Sequence, residues 1–204
     1  MASNYDKMAQ GARELFLTFD QAEIIARWNL AHDQDYLYLT YFGEPLRLSR
    51  RTAELSTRSG DSCLTHFNNA TMVVFDLLTH AKARPRASGQ WASISQLGGF
   101  IGAGHDQALG NRPLAEKLSR DLPALDRACR ALGGVPMGKA DVSFAIPVFE
   151  DFAIWFQFWE GDDEFPHSVK YLFDANALRY MHYETLWYAM GDLADRLLIL
   201  TGQA

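Results

Sequence analysis

The amino-acid sequence predicts an α+β fold, an antiparallel sheet built mainly as a C-terminal meander and packed with several helices. Three observations lead there. Near the C-terminus three consecutive runs alternate apolar residues with polar or small ones, the period of two expected of strands. The links between those runs are short, which favours antiparallel pairing. Elsewhere apolar residues return at helical spacing. With 48% hydrophobic and 22% charged residues the chain can build a sizeable core without a disulfide or metal. No composition shift, repeat or low-complexity tract divides it, so residues 1–204 read as one domain.

Each element can be justified in order. Asp20 and Glu23 have capping-box spacing, and Ile24, Ile25 and Trp28 supply the apolar face of the helix that follows. Tyr36 to Phe42 is aromatic and β-branched, Gly43-Glu44-Pro45 breaks it, and Leu46 and Leu48 suggest a returning strand, hence a hairpin. Residues 50–62 read as a polar loop. Phe67, Ala70, Val74, Leu77 and Leu78 predict a helix over 65–81, ended by Pro85 and Gly89. The glycine-rich stretch 91–110 carries no element. Pro113 suits the first turn of a helix reaching Leu132 through Leu118, Leu122, Leu125 and Cys129, with Gly133-Gly134 as its stop. Strands are expected at 141–148, 152–160 and 168–173. A last helix is expected at 183–200, with Leu186, Met190, Leu193 and Leu197 on its buried stripe.

Composition also excludes functions. A net charge of −6 disfavours broad phosphate-backbone binding, so nucleic acid is not an expected partner. The short basic run Lys82, Arg84 and Arg86 reads as a solvated loop. No apolar stretch approaches the roughly 20 residues that span a bilayer. The polar first residues lack a signal-peptide core, and two cysteines without CxxC spacing suit a reducing compartment, so a cytoplasmic location is expected. Two thiols are too few for an iron–sulfur or structural zinc site of the usual kind.

Several segments, in order, resemble a known family. They are Tyr41-Phe42-Gly43, Gly89-Gln90-Trp91-Ala92-Ser93, Arg112-Pro113-Leu114, Leu132-Gly133-Gly134, Trp159 through Pro166 (WEGDDEFP), Leu172-Phe173-Asp174 and Glu184. The resemblance is to the bacterial and archaeal domain of unknown function 3786, over most of the chain from about residue 20. It implies no established activity. It implies a link to corrinoid or redox metabolism by association only, since some relatives resemble proteins with a cysteine-rich iron–sulfur segment beside the domain and many come from anaerobes with corrinoid metabolism. This chain has no cysteine cluster.

Candidate chemistry concentrates at Glu160, Asp162, Asp163 and Glu164 with His167. Four carboxylates so close together could ligate a hard cation, although the spacing is not that of a calcium loop and a solvated acidic turn between two strands is the preferred reading. Trp155 and Trp159 share a strand face and could stack on a planar ligand or lie in the core. Gly98 to His105 lacks the ending of a P-loop, and Cys63 with His66 lacks an assignable partner. Glu184, after His182, suits a helix N-terminus. The leading reading is a binding or accessory module of unknown ligand and cofactor, using Trp155, Trp159, Asp162, Glu164, His167 and Asp174. The rivals are a metal-dependent enzyme built on 160–167 and a two-fold homodimer that covers an apolar sheet face.

Overall fold

The computed structural model describes residues 4–57, 67–98 and 112–204. The Cys63–His66 pair and the stretch from Gly99 to His105 therefore lie outside the described residues.

Helix α1 (Asn4–Phe16) and α2 (Gln21–Trp28) open the chain. Asp20 caps α2 as its spacing predicts, accepting the Ala22 N–H at 2.8 Å. Asn29 then ends the helix at φ 52°, a left-handed conformation that Asn tolerates better than most residues. Strands β1 (Ala31–His32), β2 (Tyr36–Tyr41), β3 (Glu44–Ser49) and β4 (Leu55–Thr57) form an antiparallel four-stranded sheet in that order. The expected hairpin is its centre, with Leu39 opposite Leu46. The expected loop at 50–62 instead contains β4. Leu55 is buried there and opposite Leu48, so a three-residue strand is formed by pairing with an existing edge rather than by its own alternation.

Helix α3 (Phe67–His80) buries Ala70, Val74, Leu77 and Leu78. After β5 (Trp91–Ala92) come α4 (Arg112–Leu118) and α5 (Leu122–Ala131), where one helix was expected. Pro123 explains the break. It has no N–H to give an incoming helix, and Asp121 caps a new start by accepting the Ala124 N–H at 2.8 Å. Gly133, at φ 78°, ends α5.

The second sheet is antiparallel in the order β5, β9 (Ser168–Asp174), β8 (Phe152–Trp159), β7 (Val142–Phe149), β6 (Val135–Pro136). Its three long strands are the expected meander. Phe42 N–H donates to Val148 O at 3.0 Å, joining the two sheets. Helix α6 (Tyr183–Leu200) buries the expected Leu186, Met190, Leu193 and Leu197 and packs along α3. Buried side chains from both sheets and these helices form one continuous cluster. Strand β8 is covered on both faces within a single chain, with only Ala153 and Trp159 partly exposed.

No helix among the described residues is long and apolar enough to cross a membrane.

Candidate functional site

The acidic segment is the β8–β9 turn. Asp162 spends one carboxylate oxygen on its own backbone, accepting the N–H groups of Glu164 at 2.9 Å and Phe165 at 2.8 Å. Those two bonds hold its pKa below the usual carboxylate value. Glu160 N–H donates to Asp141, and Gly161 N–H donates to His167 Nδ1 at 2.7 Å. The Gly161 backbone comes so close to His167 N and Phe165 O that a Cβ would sit 2.6 and 2.7 Å from them. The His167 ring runs nearly parallel to that of Phe158 but offset from it, with centroids 6.2 Å apart. Glu164 points into solvent.

Asp174 lies at the far end of β9, about 20 Å from His167 at the usual strand rise. The structure does not bring it to Asp162, Glu164 and His167. Its carboxylate instead accepts from Ser88 N–H, Ser88 Oγ, Gly89 N–H and Asn176 N–H, at 2.8–3.0 Å. Burial pushes its pKa up, but these bonds outweigh burial and leave it lowered. Trp155 is buried, donates Nε1–H to Ser143 Oγ at 2.9 Å and meets Trp91 edge-on at 5.6 Å. Trp159 is half-buried at the strand's end. Cys129 is buried, and burial pushes its thiol up to about 12, which makes it a poor nucleophile or ligand.

A different cluster has the geometry of a site. Asp76 and His80 stand one turn apart on α3, and His182 sits at the N-cap of α6, across the α3–α6 packing seam. Among the described residues this is the one group in which three potential metal-ligand atoms lie within 4.8 Å of one another. The Asp76 carboxylate grips His182 twice, accepting its backbone N–H at 2.7 Å and its ring Nδ1–H at 2.6 Å. His80 Nε2 lies 3.0 Å from the Leu178 carbonyl. The two rings meet edge-on with centroids 4.1 Å apart, and His80 Nδ1 stands 3.2 Å from His182 Nε2.

The partners fix the tautomers. A carboxylate and a carbonyl can only accept, so His182 carries a proton on Nδ1 and His80 carries one on Nε2. With neutral rings, His182 Nε2 and His80 Nδ1 are the two unprotonated nitrogens and lie 3.2 Å apart, with the rings overlapping edge to face rather than meeting nitrogen to nitrogen. Two imidazole nitrogens bound to one tetrahedral zinc stand about 3.3 Å apart, given metal–nitrogen bonds of about 2.0–2.1 Å. The observed 3.2 Å matches that separation, while the centroids, 4.1 Å apart, must open to about 5 Å for both rings to aim at one ion, so binding requires the exposed His182 ring to rotate. Each ring also has its outer N–H bound to a carboxylate or carbonyl, the arrangement that orients histidines at metal centres. The His182 side chain is 62% exposed, so the pair is open to solvent, whereas that of Asp76 is only 14% exposed.

Sequence reading passed over these residues. Asp76 and His80 show as an i, i+4 pair on a predicted helix, but His182 is 102 residues from His80 and only tertiary packing joins them.

The family model described as Domain of unknown function (DUF3786) matches residues 20–196, a span that includes Asp76, His80 and His182. No curated protein and no solved structure matches the chain. With the match extending from α2 into α6, the chain belongs to the domain of unknown function 3786 family.

Proposed function

We propose that the protein is a binding module that holds one divalent transition-metal ion between His80 Nδ1 and His182 Nε2. The two unprotonated nitrogens 3.2 Å apart, with both outer N–H groups already bound, carry the reading. Nitrogen donors suit zinc, nickel, copper or cobalt, whereas magnesium and calcium prefer oxygen. Both Asp76 oxygens are engaged by His182, so Asp76 serves as the positioning residue. Two protein ligands leave the remaining coordination positions to water or to a bound molecule. The metal-dependent enzyme remains a reading of this site rather than of 160–167, where Asp162 is committed to its own turn.

A homodimer has lost its motive, since β8 is covered within one chain. A tie to corrinoid or redox metabolism rests on the family resemblance, and no described residue adds to it.

Equilibrium dialysis of chelator-treated protein against zinc tests the proposal. One zinc per chain is expected, lost in both His80→Ala and His182→Ala. Equal zinc uptake by the double variant would overturn it. No uptake by the native protein would leave a shared proton as the occupant of the gap and overturn the metal reading.

A further inference from the structure

The basic run Lys82, Arg84 and Arg86 is an exposed loop, as its sequence suggests. It is fastened to the end of the second sheet. Asn176 Nδ2–H donates to Arg86 O at 3.0 Å, and Asp174 holds Ser88 and Gly89 through three bonds. Pro85 is buried beneath it. Arg84 pairs at 2.8 Å with Glu150, which occupies the β7–β8 turn at a left-handed φ of 50°. Residues 82–87 with Asn176 and Arg179 line an open surface hollow of about 470 Å³. A second hollow of about 490 Å³ shares Arg84 to Ala87 and reaches Asp151. Both lie within the roughly 300–1,000 Å³ range of small-molecule sites.

Charge identifies what such a hollow would take. Lys82, Arg84, Arg86 and Arg179 all line the first hollow, in a chain whose net charge is −6. Arg84 is neutralised by Glu150, but Lys82, Arg86 and Arg179 make no ion pair among the described residues. Three unmatched cations around one hollow, two of them forked guanidiniums, favour a compact multivalent anion over a monovalent one. The loop's fastening means little ordering is required when such an anion binds.

We infer that this hollow binds the phosphate group of a small molecule. The inference stands on its own residues and does not depend on a metal at the histidine pair. The two sites are neighbours all the same, since Lys82 follows His80 by two residues and Arg179 follows Leu178.

Calorimetry on chelator-treated protein, with pyrophosphate, inorganic phosphate and glycerol phosphate as probes, tests it. Saturable binding of pyrophosphate is expected, weakened roughly tenfold or more in Arg86→Ala and Arg179→Ala, as loss of a charge-assisted hydrogen bond implies. Arg51→Ala, which removes an exposed arginine on the β3–β4 turn, should bind like the native chain. Tighter binding of glycerol phosphate than of inorganic phosphate would assign an organic phosphate, and the reverse would assign the free ion. No saturation at millimolar probe, or an equal loss in Arg51→Ala, would overturn the inference.

Discussion

The guanidinium of Arg196, fully buried in α6, meets the carboxylate of Glu44 at 3.0 Å and so ties the last helix to the start of β3. Asp192, one turn earlier and equally buried, lies 3.4 Å away, and the guanidinium also covers the rings of Tyr41 and Phe42 at 5.2 and 5.3 Å. Removing the cation alone leaves carboxylates without their counter-charge. Arg196→Ala should therefore cost about 3–5 kcal/mol in urea unfolding. The double change Asp192→Leu with Arg196→Met should recover a large part of that, because it removes a buried acid together with its base.

Asp174 should act through pH. Its folded pKa is lowered from the ordinary 3.8, so its contribution to stability is fully present above that value. The contribution is lost as pH falls through the lower folded value. Asp174→Asn should cost about 1–3 kcal/mol near neutrality, since a charged acceptor of four bonds becomes a neutral one. The gap between native and variant stability should close as the pH is taken well below 3.8. A gap that stays constant across acid pH would contradict this assignment.

The β8–β9 turn should prove structural. Gly161→Ala forces a Cβ against backbone atoms at 2.6 and 2.7 Å and should cost about 1–3 kcal/mol. Glu164→Gln, on an exposed side chain, should change stability by no more than about 0.5 kcal/mol. Thermal melts of the two variants separate a turn built on backbone geometry from one built on its charges.

The meander was legible because strands β7, β8 and β9 carry alternation and short links in the sequence itself. The divided helix was not, because Leu118, Leu122, Leu125 and Cys129 keep helical spacing straight across the break at Pro123. Strands β4, β5 and β6 are two or three residues long and owe their form to the edges they pair with. The density of carboxylates at 160–164 drew attention to a turn whose Asp162 is occupied by its own backbone. The histidine pair carries no such local density, and its geometry exists only once α3 lies along α6.

Asp76 should control the affinity of that pair without supplying a metal bond. Asp76→Asn should weaken zinc binding about 10–100-fold, the usual effect of losing the group that orients a ligating histidine. The stoichiometry at saturating zinc should remain one per chain. Unchanged affinity would remove Asp76 from the site.

The measurement closest to the central claim is the imidazole nitrogen spectrum of ¹⁵N-histidine-labelled protein, recorded before and after one equivalent of zinc. The geometry predicts opposite tautomers, with the proton on Nδ1 in His182 and on Nε2 in His80. Zinc should then move the resonances of His182 Nε2 and His80 Nδ1 and leave the two protonated nitrogens in place. The same nitrogen responding on both rings, or no response from either, would contradict it.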